Sequence, residues 1–155
     1  MALPETLDAR LASQLQSLKL VVGGVSETAL RTRPKSGKWS AHENLAHLVQ
    51  HHKSTLARIC RILPEDRPEL PSYSADKDPE WPVLATESTE EVLCKLLALR
   101  QELITLTACL STQQWLRVGI HPVFGPMTLA QWVDFFLLHE AHHLYVAMTH
   151  AHARE

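Results

Sequence analysis

The amino-acid sequence predicts an all-α protein, a four-helix bundle with a long crossover between its second and third helices. Four long segments carry apolar residues at steps of three and four, which is the helical period, and no segment shows the alternation of a strand. Amphipathic helices bury their apolar faces by packing as a bundle. With 155 residues, of which 45% are hydrophobic and 21% charged, the chain is expected to form one domain over residues 1–155.

The charge balance and the hydropathy pattern exclude two classes of partner. The 15 Lys and Arg residues and the 17 Asp and Glu residues give a net charge of −2, which excludes an overall basic nucleic-acid-binding protein. No apolar run approaches the roughly 18 residues that span a bilayer, and the first residues lack a basic stretch followed by an apolar one. We therefore expect a cytoplasmic protein that binds neither nucleic acid nor membrane.

The first two helices are bounded by local signals. The first is predicted from about Pro4 into the low twenties, where the pair Gly23–Gly24 ends it. Its apolar stripe consists of Leu7, Leu11, Leu15, Leu18 and Val22. The second opens at Ser40 with Glu43 three residues on, which is a capping box, and Pro64 stops it after about residue 63.

The predicted crossover covers residues 64–87, which contain five prolines and no helical period. A connection of this length can cross the bundle from end to end, so that helices two and three run parallel rather than as a tight hairpin. Tyr73 and Trp81 within it either fold over a site or simply pack the crossover. The third helix is predicted from near Ser88, again with a glutamate, Glu91, three residues on.

A turn-rich connection is predicted for residues 117–127, before the fourth helix. That helix opens with a capping-box pattern of Thr128 and Gln131 and extends into the high 140s. Its seam, in steps of three and four, consists of Leu129, Trp132, Phe136, His139, His143, Val146 and His150.

Histidine is the one anomaly of the composition. The ten histidines are clustered, with four in residues 42–52 and five in residues 139–152. His139 and His143 occupy two successive seam positions where a purely structural helix would place Leu or Phe. Buried imidazoles need partners, and two of them at i and i+4 project from one helical face, a spacing that chelates one metal ion.

The second helix must supply the rest of such a site, and the spacing does not decide which residue. His47, His51 and His52 all lie within reach of the apolar stripe centred on Leu45. The helical wheel slightly favours His52, because it falls inside the stripe whereas His47 falls near its rim.

The three cysteines do not suggest a disulfide framework or a metal site. Cys60, Cys94 and Cys109 form no CxxC pair and leave an odd one over. Each lies inside an apolar helical pattern, so we expect buried and unreactive thiols.

Several motifs together resemble those of the DinB-like (YfiT-like) superfamily of metalloenzymes. Trp39-Ser40 is followed eight residues on by His47-Leu48, and the last helix carries His139-x-x-x-His143 with Leu144. Supporting stretches are Arg33-Pro34, Gly37-Lys38, Leu70-Pro71-x-Tyr73, Gly119-Ile120-His121-Pro122 and Gly125-Pro126-Met127-Thr128-Leu129. The similarity covers about residues 10 to 150.

The resemblance implies a divalent-metal site formed by His47, His139 and His143, overruling the preference of the wheel. The residues then expected to line the cavity are His51, His52, His121, Trp132 and Phe136. Neutral imidazoles suit Zn(II) and Ni(II), and the ion would act as a Lewis acid or lower the pKa of a bound water or thiol. Characterised relatives include thiol-dependent S-transferases, so the resemblance suggests a low-molecular-weight thiol as one substrate.

Other functions remain open at this stage. A three-histidine bundle also fits a metal-binding or stress-response module without turnover. His139-Glu140-x-x-His143 matches the HExxH metalloprotease motif, but Glu140 points away from the bisector of the two histidines, and Val146 stands where the metzincin motif has glycine.

An apolar row opposite the histidines of the fourth helix suggests self-association. The row consists of Val133, Leu137, Ala141, Leu144 and Met148. A helix that is apolar on two faces is either central in the bundle or shared with another subunit. We therefore expect a homodimer.

Overall fold

The computed structural model describes residues 5–153, apart from the side chains of Glu5 and Asp76. Pro4, the predicted first residue of helix one, lies outside this range. The secondary structure is α1 (Glu5–Ser13), a 3-10 turn (Gln14–Ser17), α2 (Leu18–Val22), α3 (Glu27–Arg31), α4 (Ala41–Ile62), a 3-10 turn (Ala75–Lys77), α5 (Trp81–Thr86), α6 (Thr89–Ala108), α7 (Thr112–Trp115), β1 (Val118–His121), β2 (Gly125–Thr128) and α8 (Leu129–Ala151). The four helices of the bundle are the α1–α2 segment, α4, α6 and α8.

Capping boxes define where the three long helices begin. Ser40, Ser88 and Thr128 each accept a hydrogen bond from the backbone N–H three residues on, and the side chain at that position accepts one from the backbone N–H of the cap. These bonds satisfy donors that every helix start leaves unpaired. The three starts predicted from the sequence are therefore confirmed.

Helices α4 and α6 run parallel. His42 near the start of α4 lies 2.8 Å from the hydroxyl of Thr89 at the start of α6. Ten residues further along α4, His52 faces Arg100 of α6. The crossover therefore returns the chain to the end where α4 began, as its length predicted.

Helix α8 runs antiparallel to α4 on its other side. Asn44 of α4 bonds His143, whereas His51, two turns later, stacks on His139, which is earlier in α8. Since α6 and α8 both pack against it, α4 is buried around nearly its whole circumference over residues 41–52. The functional side chains of α4 can therefore face either neighbour.

The apolar row of α8 is covered by the first helical segment of the same chain. Gln14 bonds the carbonyl of Leu137 at 2.9 Å, and Arg10 pairs with Asp134 at 2.5 Å. Val133, Leu137 and Leu144 are buried as a result. The row thus makes α8 a central helix, which removes the reason for expecting a homodimer, although the oligomeric state itself stays a prediction.

Residues 118–128 form a β-hairpin, which the sequence analysis did not predict. Strands β1 and β2 pair antiparallel from Val118↔Thr128 to His121↔Gly125, and Gly125 takes a φ of 70° at the turn. Ile120 also bonds the crossover, through Pro68 and Leu70. Strands of four residues are too short to display an alternating pattern, and pairing with the distant crossover compensates for their length.

All three cysteines are exposed, so the expectation of buried thiols was wrong. Positions next to the buried stripe of a helix face outward. Cys60, for instance, follows the buried Ile59 by one residue, a rotation of about 100°.

Within residues 5–153, no helix has both the length and the apolarity needed to cross a bilayer.

Candidate metal centre

Three histidines from two helices converge in the bundle. His47 of α4 and His139 and His143 of α8 each offer a ring nitrogen within 4.8 Å of the others. The Nε2 atoms of His47 and His139 are 3.0 Å apart, and the His143 ring centroid lies 4.4 Å from that of His47. The structure thus brings together the three residues that the family resemblance selected.

The geometry and the protonation of these rings fit a divalent metal ion. Tetrahedral coordination with metal–nitrogen bonds of about 2.0–2.1 Å separates the nitrogens by about 3.3 Å, close to the 3.0 Å between Nε2 of His47 and Nε2 of His139. Burial, with a smaller contribution from neighbouring histidines, lowers the pKa of His47 and His139 to about 4 and that of His143 to about 3. All three are therefore neutral at pH 7, and neutral imidazole is the form that binds metals.

Asn44 selects which nitrogen of His143 is available. Its amide Nδ2 donates to the carbonyls of Ser40 at 2.8 Å and Trp39 at 3.3 Å, so Oδ1 is the atom facing His143. Oδ1 lies 2.8 Å from Nδ1 of His143 and can only accept a hydrogen bond. Nδ1 therefore carries the proton, and Nε2 presents its lone pair to the centre. Sequence reasoning missed Asn44, since nothing in the local pattern marks it.

Aromatic rings enclose the centre on the side of the α4 start. Trp39 lies 5.1 Å from His47 and stacks on Trp81 at 5.1 Å between ring centroids. Tyr73 of the crossover lies 5.5 Å from His47 and donates its hydroxyl to Asp78 at 3.0 Å. Both crossover aromatics considered in the sequence analysis thus pack around the centre, and Trp81 does so through Trp39.

A cavity of about 160 Å³ opens beside His47 and His139. Its lining consists of His47, His51, Arg58, Ser72, Tyr73, His121, Phe135 and His139. His51 and His121 were predicted to line it. Trp132 and Phe136 were also expected to line it but do not, because they lie behind lining histidines, with Trp132 5.2 Å from His121 and Phe136 stacked on His51 at 5.2 Å.

His52 does not line this cavity, and that expectation was wrong. It is fully buried on the α6 side of α4, where Nδ1 lies 2.8 Å from the carbonyl of Leu48 and Nε2 lies 3.3 Å from Arg100. Burial and the charge of Arg100 lower the pKa of His52 to about 3. The helical wheel favoured His52 because it assumes one buried face, whereas α4 has two, one against α6 and one against α8.

Glu140 lies with His52 and Arg100 in a second buried polar cluster, on the α6 side of α4. Its carboxylate is fully buried and pairs with Arg100, and it accepts a hydrogen bond from Gln14 at 2.7 Å. Burial raises the pKa of Glu140, whereas Arg100 lowers it. Because this carboxylate is committed on the opposite side from the histidine triad, it is not placed to act as the base of an HExxH peptidase.

The parallel second and third helices and the histidine triad on α4 and α8 define a helical-bundle protein with a candidate metal centre. Residues 10–147 match the DinB superfamily, and the chain belongs to this superfamily. Of the superfamily features expected from the sequence, the four-helix bundle and its crossover are confirmed.

Two curated proteins are similar in sequence to this chain. The uncharacterized protein YuaE of Bacillus subtilis is 30% identical over 78% of this chain and 82% of its own length. "Putative metal-dependent hydrolase OB0782" of Oceanobacillus iheyensis is 26% identical over 82% of this chain and 73% of its own length.

Two solved structures share the fold at low sequence identity. YfiT of Bacillus subtilis, described as "a probable metal-dependent hydrolase with an unusual four-helix bundle topology", has a TM-score of 0.76 at 21% identity, covering 95% of this chain and 82% of that one. The four-helix bundle protein TT2238 has a TM-score of 0.66 at 23% identity, covering 92% and 95%.

Proposed function

We propose that this protein is a metal-dependent enzyme whose divalent ion, Zn(II) or Ni(II), is held by His47, His139 and His143. The observation that carries the proposal is the convergence of three neutral imidazoles, two of which, His47 and His139, line a cavity large enough for a small molecule. Three protein ligands leave coordination positions open, which is the arrangement of catalytic rather than structural sites. When bound, the ion would act as a Lewis acid and lower the pKa of a water or thiol.

The chain itself would contribute positioning and the exclusion of water. Asn44 holds the tautomer and orientation of His143, a role that such outer contacts commonly play at metal sites. Trp39 and Tyr73 cover the rings of the triad. Burial and the Asp78 carboxylate raise the pKa of Tyr73, so its phenol stays protonated and continues to donate to Asp78.

Two reactions are compatible with this site. Hydrolysis is supported by the descriptions of OB0782 and YfiT as metal-dependent hydrolases. Transfer of a low-molecular-weight thiol to an electrophile is suggested by the superfamily. A metal-binding module without turnover is the alternative, and the ligand set would be the same in all three cases.

The first experiment is metal content by inductively coupled plasma mass spectrometry on tag-free protein. We expect about one equivalent of zinc or nickel in the wild type and loss of the metal in His139→Ala and His143→Ala. His142→Ala is the matched control, because His142 lies beside His143 in α8 but is exposed and outside the triad. Folded variants that keep their metal would refute the site.

The second experiment separates enzyme from binding module. Metal-loaded wild type, His143→Ala and His142→Ala are screened with ester and amide substrates for hydrolysis, and with a thiol plus an electrophile for transfer. Turnover that disappears only in His143→Ala supports catalysis at the triad. Turnover that is unchanged in a folded, metal-free His143→Ala would refute it.

A further inference from the structure

Arg58 is a buried cation that has no counter-ion within the described part of the chain. Its residue is 9% exposed and its guanidinium lines the cavity beside His139. Nη2 donates to the carbonyl of Pro71 at 2.9 Å, and the guanidinium carbon lies 5.3 Å from the centre of the Trp132 ring. None of the ion pairs among the described side chains includes Arg58.

A buried guanidinium without an anion is costly. Arginine remains protonated in proteins, so it cannot relieve the cost of burial by losing its charge. It carries five N–H donors in a planar fork, and one hydrogen bond to Pro71 uses only part of that capacity. By contrast, Arg100, the other deeply buried arginine of the bundle, is paired with the carboxylate of Glu140.

The groups that share the cavity with Arg58 do not neutralise it. No Asp or Glu is among the lining residues. The cavity therefore has a net positive charge even before any metal ion is added.

Two neighbouring histidines have nitrogens available to a ligand. Nε2 of His51 is buried and has no partner among the described residues. Nδ1 of His121 accepts hydrogen bonds from the backbone N–H groups of Val123 and Phe124, both at 3.1 Å, so the proton of the neutral ring is on Nε2, which is a donor. Nε2 of His121 is thus a further donor for an anionic group in this cavity, and Nε2 of His51 is a second polar atom without a partner in the described part of the chain.

We propose that the substrate of this protein carries a small carboxylate, which pairs with Arg58 while the reacting end of the molecule lies at the histidine triad. A carboxylate balances the single charge of Arg58 and accepts two parallel N–H bonds from its fork. The cavity volume of about 160 Å³ suits a molecule of a few non-hydrogen atoms. The location of the reacting end rests on the proposed function, whereas the carboxylate contact does not.

The test compares acids with their neutral amides by isothermal titration calorimetry. Zinc-loaded protein is titrated with 3-mercaptopropionate and 3-mercaptopropanamide, and metal-free protein with propionate and propionamide. We expect the wild type to prefer each acid by about tenfold or more, the range of a charge-assisted bidentate pair. Arg58→Met should abolish the preference, and Arg58→Lys should retain part of it.

Arg61→Met is the matched control. Arg61 also lies on α4 and also donates to the crossover, through the carbonyl of Glu69 at 3.1 Å, but it is exposed and does not line the cavity. This variant should keep the full preference for the acids. If Arg58 only braces the crossover, Arg58→Met and Arg61→Met will both lower stability and neither will change the acid-to-amide ratio.

The outcomes separate this inference from the proposed function. Equal binding of acid and amide by the wild type, no detectable acid binding in either form, or a preference that survives in Arg58→Met overturns the carboxylate site. Zinc binding without a preference for the acids would support the metal centre and refute the carboxylate site. An Arg58-dependent preference in metal-free protein that fails to bind zinc would support the carboxylate site and refute the metal centre. Should Arg58→Met not fold, Arg58→Lys and the wild-type comparison decide.

Discussion

Replacing Asn44 by leucine should weaken metal binding without touching any ligand. Leucine is close to asparagine in size but cannot accept the hydrogen bond from Nδ1 of His143, which is 2.8 Å long in the wild type. The His143 ring is then free to carry its proton on Nε2, the nitrogen that must present a lone pair to the ion. Binding would require the ring to change tautomer and to be reoriented.

The magnitude follows from the contacts that are lost. One hydrogen bond contributes about 0.5–1.5 kcal/mol net, which alone corresponds to a factor of about 2 to 13 in affinity. Loss of the tautomer preference adds to this, and outer-shell contacts to metal-bound histidines are typically worth about 10- to 100-fold. We expect the dissociation constant for zinc to rise by about tenfold or more in Asn44→Leu.

The assay is a competition titration of metal-free protein against a chromogenic chelator. Gln50→Leu serves as the control, since Gln50 is a buried amide on the same helix that donates to Glu80 instead of a triad histidine. Its zinc affinity should stay within about twofold of wild type. An unchanged affinity in a folded Asn44→Leu protein, or an equal loss in both variants, would refute the positioning role.

Two further predictions concern the protonation of the triad histidines and the second buried cluster, which contains His52, Arg100 and Glu140. The pKa values of His47 and His139 are about 4 and that of His143 about 3, below the ordinary 6.5 because of burial first, so the metal-free fold binds fewer protons than the unfolded chain. The contribution of these histidines to the free energy of unfolding should be complete above pH 6.5 and should fall as the pH drops from 6.5 through 4. Urea titrations across that range measure it, and a free energy of unfolding that does not change with pH would contradict the prediction. Glu140→Gln should lower the free energy of unfolding by about 3–5 kcal/mol, because it leaves Arg100 without a counter-ion. The variant should nevertheless retain its metal content and any turnover. A folded variant that keeps its metal but loses turnover would restore the HExxH interpretation.

The boundaries of the bundle helices were predictable because they depend on short-range chemistry. Each long helix starts with a cap residue and its partner three positions on, so the relevant hydrogen bonds are encoded within four residues. The hairpin was missed for the opposite reason. Its strand β1 pairs with residues 68–70 of the crossover, a contact across some fifty positions that no local pattern displays.

The choice between His47 and His52 shows where helical periodicity fails. A wheel assigns one buried face to a helix, but α4 is buried against α8 on one side and α6 on the other. His47 faces the triad, and His52 faces Arg100, and both are buried. Only the motif shared with the superfamily distinguished the two residues. It places the metal-binding histidine eight residues after Trp39, and this spacing does not depend on the position of the apolar stripe.

Asn44 and Arg58 were beyond reach of sequence reasoning. An asparagine and an arginine on a predicted helix are ordinary residues of a solvated face. Their roles depend on partners far along the chain: His143 for Asn44, and Pro71 with Trp132 for Arg58. A residue of this kind becomes informative only when its burial and its partners are known together.

The two polar clusters on either side of α4 differ in one physical respect that bears on function. On the α6 side, the charge of Arg100 is balanced by Glu140, and His52 is bonded through both nitrogens, so the cluster is complete without a ligand. On the α8 side, the ring nitrogens of the triad converge on one another, Nε2 of His51 is buried without a partner, and the charge of Arg58 is unbalanced among the described residues. Stability alone favours the first arrangement and penalises the second. An unsatisfied cluster that lines a cavity is therefore best explained by the ion and the anionic substrate that would complete it.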